Sequence, residues 1–272
     1  MAERRGAPAL PGLDSQTYAR AHLAFESRSD QRRLIAEHLA GRLAARAGQS
    51  ISVLSVGCGD GTLDVPLIQG LLGADGARSV RYVGVDPYET ATTELARAMG
   101  ALDDPALQVE THSTTWESAP VSGTFDVITF VHSMYYVPDV AAAVAKACSL
   151  LRPGGELVVL SGPRGAMNTL VDICAPPIDG HPQWFSDDVA AGIAEAAAPA
   201  HLEVAPVERL EALLALEPVT HDVLDFVVQA RLTPEARELV LACLRSAAVP
   251  DPASGRFEVP HPVDVHRVVR LP

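Results

Sequence analysis

The sequence predicts an α/β fold in which an open, mostly parallel sheet carries helices on both faces. The prediction begins at Val53–Gly61, where a short β-branched run leads into glycines at alternate positions, Gly57, Gly59 and Gly61. Apolar residues with a helical rhythm follow, so the segment is typical of a buried strand, a tight turn and a helix N-terminus. Strand and helix patterns then alternate as β-α-β-α-β-β-α-β up to Ser161, which is the order of an open parallel sheet.

The individual elements follow from periodicity and from capping residues. Asp14 or Ser15 caps a first helix, and a second helix runs from about Asp30 to Arg46. The five strands of the alternating region are predicted at Ile51–Val56, Val80–Val85, Leu107–Thr111, Phe125–Val131 and Leu157–Leu160. The first helix between them ends near Leu72, and the other two cover about Thr90–Met99 and Val140–Leu151. A turn at Arg152–Gly155 precedes the last strand. Phe125–Val131 is nearly all apolar, as a centrally buried strand should be.

The pattern is less regular after Ser161. A short helix is predicted over Ala166–Ile173, and Ser186 is expected to cap a helix from Asp187 to about Ala197. Thr233 followed by Pro234 predicts the cap and first turn of a further helix that ends near Arg245. The C-terminal segment Val263–Val269 alternates apolar and polar residues, which predicts an edge strand.

Composition limits the classes of function. The chain has 272 residues with a net charge of −13, so a nucleic-acid partner is not expected, because phosphate binding needs a basic surface. The four cysteines, Cys58, Cys148, Cys174 and Cys243, show no metal-ligand spacing and predict free thiols in a reducing cytoplasm. No apolar run is long enough to predict a membrane span. These features predict a cytoplasmic protein that uses no metal and acts on a small molecule.

Chemistry is expected at the carboxyl ends of the strands, where open α/β sheets bind ligands. The spacing G-x-G-x-G differs from the G-x-G-x-x-G of dinucleotide-binding proteins. Asp86 ends the second strand, where a carboxylate can accept both hydroxyls of a ribose. Thr115 and Trp116 follow the third strand and could hold the edge and face of an adenine. His132 follows the fourth strand, near the reactive end of such a ligand.

Together these features resemble the class I S-adenosylmethionine-dependent methyltransferases. The glycine turn, the acidic end of the second strand, the apolar fourth strand and the segment LLRPGGEL occur in that family's order over about residues 50–161. The resemblance implies a Rossmann-like sheet of seven strands in a single methyltransferase domain, 1–272. It also implies that the cofactor is S-adenosyl-L-methionine, which is converted to S-adenosyl-L-homocysteine. The cofactor is expected to lie over Gly57–Gly61 with its ribose on Asp86. Val131, at the end of the fourth strand, is expected to contribute to cofactor binding.

A second resemblance is to the histamine N-methyltransferases. It is carried by Tyr18, His22, Phe25, Ser29 and Gln31 at the spacing Y-x3-H-x2-F-x3-S-x-Q, and by the segments FVHSMYYVPDV, SDDV and LDFV. It implies a helical substrate cap at residues 14–47, a cofactor core at 50–161, and pocket elements with the remaining strands at 162–272. The aromatic residues that it implies around a small amine are Tyr18, Phe25, Tyr135, Tyr136 and Phe226, with Trp184 as a further wall. Gln31 and His132 stand where that family has an acidic residue and a glutamine.

Several reactions fit these residues. N-methylation of an amine or azole needs little beyond proximity and alignment. O- or C-methylation of a specialised metabolite needs a base, for which His132 is the candidate. A cluster of arginines, Arg20, Arg28, Arg32 and Arg33, could also meet an anionic substrate such as an isoprenoid diphosphate.

Two further classes remain as alternatives. A nicotinamide oxidoreductase is disfavoured by the glycine spacing and by the lack of a Tyr-x-x-x-Lys pair. A protein that binds the cofactor without catalysis is the other, although it would need no second, aromatic pocket. The expected oligomeric state is a monomer or a homodimer.

Overall fold

The computed structural model describes residues 10–46, 48–73, 78–178, 180–197, 202–250 and 255–272. The chain divides into two compact units. We call residues 32–161, 184–210 and 263–272 the sheet unit, and residues 1–31, 162–183 and 211–262 the accessory unit.

The helices are α1 Ser15–Glu26, α2 Gln31–Ala44, α3 Asp64–Leu71, α4 Glu89–Gly100, α5 Val140–Ser149, α6 Ala166–Cys174, α7 Ser186–Ala197, α8 His221–Val227 and α9 Pro234–Ala247, with a 3-10 turn at Met134–Tyr136. The strands are β1 Ser50–Val56, β2 Ser79–Asp86, β3 Leu107–Ser113, β4 Phe125–Val131, β5 Leu151–Ser161, β6 Leu202–Val204, β7 Glu208–Leu210, β8 Leu213–Ala215, β9 Val249–Pro250, β10 Phe257–Pro260 and β11 Val263–Arg270.

The sheet unit is built on the predicted α/β sheet. Its seven-strand path runs β3-β2-β1-β4-β5-β11-β6, and β7 also pairs with β11. Strands β1 to β5 are parallel, and β11 is antiparallel to β5. Because β1 lies between β2 and β4, the strand order reverses there, and a crevice for ligands is expected at the carboxyl ends of β1 and β4. The predicted seven-stranded, mostly parallel sheet is confirmed.

The core of the sheet unit lies on both faces of this sheet. Alternate residues of a strand point to opposite faces, and β1 follows this rule: Leu54 and Val56 join a buried cluster with residues of α5 and α7, whereas Ile51 and Val53 join one with residues of α2 and α3. In β4, Phe125–Phe130 is buried throughout. The prediction of a central strand over 125–131 is therefore confirmed.

The turn predicted at Arg152–Gly155 lies inside a strand rather than before it. Phe125 pairs with Leu151 and Val127 pairs with Glu156, so the intervening residues of β5 form a bulge. A Cβ at Gly155 would lie 2.7 Å from the carbonyl oxygen of Phe125, and Gly154 has a φ of +76°. The glycines that predicted a turn are thus needed for the bulge.

The prediction that the C-terminal strand is an edge was wrong. β11 lies between β5 on one side and β6 and β7 on the other. Its first half is buried throughout. The two flanking strands have three residues each, which is too short for a periodic signal, so the sequence offered no sign of them.

Ser186 begins α7 but does not cap it. The Oδ2 of Asp188 accepts a hydrogen bond from Phe185 N at 2.9 Å and serves that end of the helix. The Ser186 hydroxyl instead donates to Asp264 Oδ2 at 2.6 Å and lies 3.0 Å from His266 Nε2. Arg209 holds the same carboxylate through two further hydrogen bonds. We call Ser186, Arg209, Asp264 and His266 the β11 polar network.

The β11 polar network makes stability depend on pH. Burial lowers the pKa of His266 below its usual range, because desolvation disfavours the imidazolium, and Asp264 opposes this only in part. The unfolded chain therefore binds the proton more readily, so the free energy of unfolding decreases as pH falls through about 6.5. We expect the Tm to drop between about pH 8 and about pH 5, and the drop to be smaller in His266→Gln. The control is His221→Gln, which replaces an exposed histidine and should show the wild-type drop in Tm. A drop in His266→Gln as large as that of wild type would contradict the prediction.

The accessory unit contains three helices predicted from the sequence. Asp14 caps α1 by accepting a hydrogen bond from Thr17 N at 2.9 Å, and Thr233 caps α9 by accepting one from Ala236 N at 3.2 Å. Both predicted caps are confirmed, and α6 lies at its predicted place. Within this unit α1 packs against α8, and β8, β10 and β9 form a three-stranded antiparallel sheet.

Candidate functional site

The glycine turn joins β1 to α3 in the backbone conformation that glycine favours. Gly57, Gly59 and Gly61 have φ values of +75°, +55° and +84°. A Cβ at Gly57 would lie 2.3 Å from the Cβ of Ser133, and one at Gly61 would lie 2.4 Å from Cδ1 of Leu95. A Cβ at Gly59 would meet no atom within 4 Å. Gly57 and Gly61 are therefore needed for packing, whereas Gly59 leaves open space above the backbone.

Asp86, the residue predicted to bind a ribose, lies against this turn at the end of β2. Its Oδ2 accepts a hydrogen bond from Gly59 N at 3.0 Å, and its Oδ1 accepts one from Tyr88 N at 3.0 Å. A carboxylate offers about four acceptor positions, so about two remain. The end of β2 is thereby joined to the open part of the glycine turn.

His132 follows β4 in a conformation that few side chains adopt. Its φ is +50°, and its N–H donates to Leu160 O at 3.1 Å. The next residue, Ser133, donates its hydroxyl to Val56 O at 2.6 Å and fills the space beside Gly57. His132 is thus fixed between the carboxyl ends of β1 and β5. A left-handed residue other than glycine at such a place suggests a functional constraint.

Four other residues of the sheet unit were predicted to belong to the site: Val131, Tyr135, Tyr136 and Trp184. Tyr135 and Tyr136 have ring centroids 4.5 Å apart on the 3-10 turn, and Tyr136 is exposed. Trp184 is half-buried and donates its Nε1–H to Val137 O at 2.8 Å. Val131 is half-buried beside Leu160 at the end of β4. The two tyrosines therefore lie on the segment that follows β4, and Trp184 is hydrogen-bonded to that segment at Val137.

Trp116 does not offer its indole to a ligand, contrary to the prediction. The ring is buried, packs edge-on against Phe130 at 5.6 Å, and has the Nζ of Lys146 4.3 Å from its centroid. Its Nε1–H donates to Ala143 O at 3.2 Å. The indole therefore belongs to the core, and the exposed Thr115 is the member of the predicted pair that stays accessible.

Tyr88 is a candidate site residue that the sequence did not predict. Its ring is 68% exposed although it is large and aromatic, and its backbone N–H donates to Asp86. An exposed tyrosine beside Asp86 can present a flat face to an adenine. The signal was its position two residues after Asp86, but a tyrosine after a strand-end Asp-Pro is also common in an ordinary turn.

Four residues predicted to line a substrate pocket form one aromatic cluster within the accessory unit. The ring of Phe226 on α8 lies 5.5 Å from Tyr18, 5.3 Å from His22 and 4.8 Å from Phe25, all on α1. Phe25 also meets His261 edge-on at 5.1 Å. The i, i+4, i+7 spacing on α1 therefore brings these side chains to one helix face against α8, as the sequence predicted.

The polar residues near this cluster are engaged within the accessory unit. Gln31 is buried, and its Nε2 donates to His261 O at 2.7 Å. The Ser29 hydroxyl lies 2.9 Å from Nδ1 of His261. Of the arginines considered for an anionic substrate, Arg20 pairs with Asp222 at 2.9 Å and Arg28 donates to Pro218 O. The diphosphate hypothesis therefore gains no support from Arg20 and Arg28.

Comparison with known proteins identifies the family. A sequence model described as a methyltransferase domain matches residues 27–197. The chain belongs to this methyltransferase family. Membership confirms the predicted enzyme class and its methyl donor, S-adenosyl-L-methionine.

The methyltransferase also resembles curated and solved proteins. It is 35% identical over 117 residues to a ubiquinone biosynthesis O-methyltransferase of Mesorhizobium japonicum, and the match covers 43% of each chain. The chain spans less than half the length of the curated relatives that it matches. Among solved structures, YcgJ of Bacillus subtilis superposes with a TM-score of 0.59 at 13% identity, over 87% of this chain and 99% of that protein. A geranyl diphosphate methyltransferase in complex with SAM superposes at 0.55 and 16% identity, over 97% of both chains. These structural likenesses show the fold.

The residues around the glycine turn fit the methyl donor. The open space above Gly59 and the free acceptor positions of Asp86 suit a ribose-bearing ligand on the backbone. Beneath the turn, the buried Asp64 accepts hydrogen bonds from Ser55 Oγ at 2.9 Å and Tyr82 Oη at 2.8 Å, which ties β1, β2 and α3 together. Burial raises the pKa of the Cys58 thiol, so Cys58 stays protonated and serves packing.

The glycines of the methyltransferase are expected to respond differently to substitution. Gly61→Ala should lower the free energy of unfolding by about 2–4 kcal/mol, because it combines a left-handed alanine with a clash against Leu95. Gly59→Ala should cost only about 1–2 kcal/mol but weaken S-adenosylhomocysteine binding by about tenfold, because its methyl group enters the open space. Urea unfolding and calorimetric titration measure the two effects. Equal binding losses in both variants would contradict this division.

None of the helices in the described parts of the chain combines the length and the apolar character that crossing a bilayer requires. Within the same residues, no group of three or more histidine, cysteine, aspartate or glutamate side chains is arranged to hold a metal ion.

Proposed function

We propose that this methyltransferase methylates an oxygen atom of a small molecule and that His132 is the general base. The observation that carries the proposal is the constrained position of His132, left-handed at the end of β4 and anchored to Leu160 beside the glycine turn. The name of the curated relatives, ubiquinone biosynthesis O-methyltransferase, supports the same atom type. A histidine whose backbone is held in the left-handed region at a ligand crevice is a candidate for proton transfer.

The chemistry divides between the donor and the protein. When bound, S-adenosyl-L-methionine supplies an activated methyl group for in-line displacement. A hydroxyl is a weak nucleophile at neutral pH, since a phenol ionises near 10, so it must give up its proton as it reacts. The His132 imidazole accepts that proton, an effect worth roughly 10²–10⁴-fold in rate. Its backbone hydrogen bond to Leu160 fixes the main chain from which the ring projects.

The remaining residues are assigned to binding the methyl donor and to enclosing the acceptor. We assign the ribose hydroxyls to Asp86, the approach of the donor to the open face of Gly59, and the adenine surroundings to Tyr88 and Thr115. The tyrosines that follow His132, Tyr135 and Tyr136, are assigned to the wall of the acceptor pocket in the sheet unit, with Trp184 beside them. These side chains supply alignment and the exclusion of water, which raise the effective concentration of the reacting groups.

N-methylation of an amine or azole is the second candidate. It is favoured by the aromatic cluster of Tyr18, His22, Phe25 and Phe226, because stacked rings suit a flat azole or a cationic amine. This cluster is also what the resemblance to histamine N-methyltransferases implies. The reaction would need no base.

Product analysis distinguishes the candidates. Full-length protein with labelled S-adenosyl-L-methionine is incubated with panels of phenols and catechols, amines and imidazoles, and isoprenoid diphosphates, and the products are identified by mass spectrometry. We expect transfer to phenolic oxygen in wild type and its loss in His132→Asn. Transfer to nitrogen that persists in His132→Asn would replace the proposal with the second candidate. No product from any acceptor, despite stabilisation by S-adenosylhomocysteine, would favour a cofactor-binding protein without catalysis.

A further inference from the structure

An arginine-lined groove lies in the sheet unit at the amino edge of the sheet. Its volume is about 650 Å³, and its lining comes from the end of α2, the start of β1, the bulge of β5 and the far half of β11. Three of the lining side chains are Arg42, Arg46 and Arg267. Gln49 lines this groove and Gly57 begins the glycine turn, so β1 separates the two places by roughly 25 Å. The groove is therefore distinct from the methyl-transfer site.

The groove is positively charged on an acidic protein. Its lining contains three arginines and one carboxylate, that of Glu156, whose side chain is only 5% exposed. Asp126 lies 3.5 Å from Arg46 and Glu208 lies 3.5 Å from Arg267, and Asp126 also pairs with Arg152. Among these ion pairs four guanidinium groups meet three carboxylates, which leaves an excess of one positive charge. The whole chain has a net charge of −13. The rest of the surface repels anions. A local excess of positive charge therefore attracts them to this groove.

These arginines are held in place rather than dispersed in solvent. Their side chains are 22%, 17% and 23% exposed for Arg42, Arg46 and Arg267, whereas Arg97 on α4 is 72% exposed. Glu156 lies against all three, with Arg46 at 3.6 Å and Arg267 at 3.4 Å. Fixing guanidinium groups before a ligand arrives reduces the entropy lost on binding.

Most of the donors of these arginines are uncommitted among the described residues. Arg42 makes one hydrogen bond, and Arg46 and Arg267 make two each, with four of the five at 3.4–3.5 Å. Three guanidinium groups carry about fifteen N–H donors. A phosphate group matches this supply, because it carries up to two negative charges and several acceptor oxygens, whereas a carboxylate is satisfied by one arginine.

We propose that the groove binds the phosphate group of a small molecule. Arg46 and Arg267 contribute the guanidinium groups whose hydrogen bonds are long, at 3.4–3.5 Å, and Arg42 contributes a third cation. The site is separate from the methyl donor and does not depend on which atom of the acceptor is methylated.

Titration with inorganic phosphate and pyrophosphate tests the proposal. At constant ionic strength, isothermal calorimetry on the full chain should show saturable binding of pyrophosphate below about 10 mM, with phosphate weaker. Arg46→Gln and Arg267→Gln should each weaken pyrophosphate binding by about tenfold, whereas the exposed control Arg97→Gln should match wild type. S-adenosylhomocysteine affinity should stay the same in all of these proteins.

Three outcomes would overturn the proposal. They are no saturable binding in wild type, equal binding in the groove variants and in Arg97→Gln, or a crystal structure with pyrophosphate bound elsewhere. If circular dichroism shows that a glutamine variant is unfolded, Arg267→Lys replaces it. This variant keeps the charge but loses the two-pronged geometry, so we expect weakened pyrophosphate binding with a native spectrum, and unchanged binding would again overturn the site.

Discussion

His132→Asn is expected to lower kcat for a phenolic acceptor by about 10²-fold or more, because the side chain that takes the proton is lost. Asparagine is the sharper substitution, since it tolerates the φ of +50° better than alanine does. His132→Ala should show the same loss of activity together with a lower Tm. Steady-state kinetics and thermal unfolding measure the two effects separately.

The pH dependence of kcat distinguishes the loss of a base from a mere distortion of the site by the substitution. With a histidine base, wild-type kcat should rise with pH through an ionisation that is absent in His132→Asn. The control is His221→Asn, which replaces an exposed histidine on α8 and should leave kcat unchanged. If His132→Asn raises only KM, the imidazole contacts the substrate and is not the base.

Asp86→Ala is expected to weaken the binding of S-adenosylhomocysteine by roughly 10- to 100-fold, or about 1–3 kcal/mol. The carboxylate has acceptor positions left after its hydrogen bonds from Gly59 N and Tyr88 N, and these are the positions assigned to the ribose hydroxyls. Isothermal calorimetry measures the change directly.

Asp86→Asn separates ribose binding from support of the glycine turn. The amide keeps one carbonyl acceptor for a backbone N–H but cannot accept every bond that the carboxylate does, so we expect an intermediate loss. Glu94→Ala, which removes an exposed carboxylate on α4, should bind as wild type does. Unchanged affinity in Asp86→Ala would refute the ribose assignment.

Local patterns were sufficient for much of the fold. β4 was predicted at its observed bounds because every residue in a central strand is buried, which leaves a continuous apolar run. The caps Asp14 and Thr233 were predicted because a capping side chain bonds a backbone N–H only three residues away. The face of α1 with Tyr18, His22 and Phe25 followed from helical spacing alone.

The misses concern partners that are distant in the sequence. Trp116 was expected to meet adenine, but its N–H bonds to a carbonyl 27 residues away. Ser186 was expected to cap a helix, but its hydroxyl bonds to a carboxylate 78 residues away. Tyr88 was missed because its suitability for contact with a ligand depends on the exposure of its ring, which residue spacing in the sequence does not show. For Trp116 and Ser186 the local interpretation was chemically sound, and a tertiary contact made another arrangement more stable.

By itself the sequence determined the glycine turn, the acidic end of β2 and the order of the first five strands, since each depends on neighbours within a few residues. Only the tertiary structure decided that β11 is interior, that Trp116 is core, and that Arg42, Arg46 and Arg267 share one groove. The physical reason is that periodicity and turn geometry act locally, whereas burial and charge clustering depend on which distant segments the packed sheet brings together.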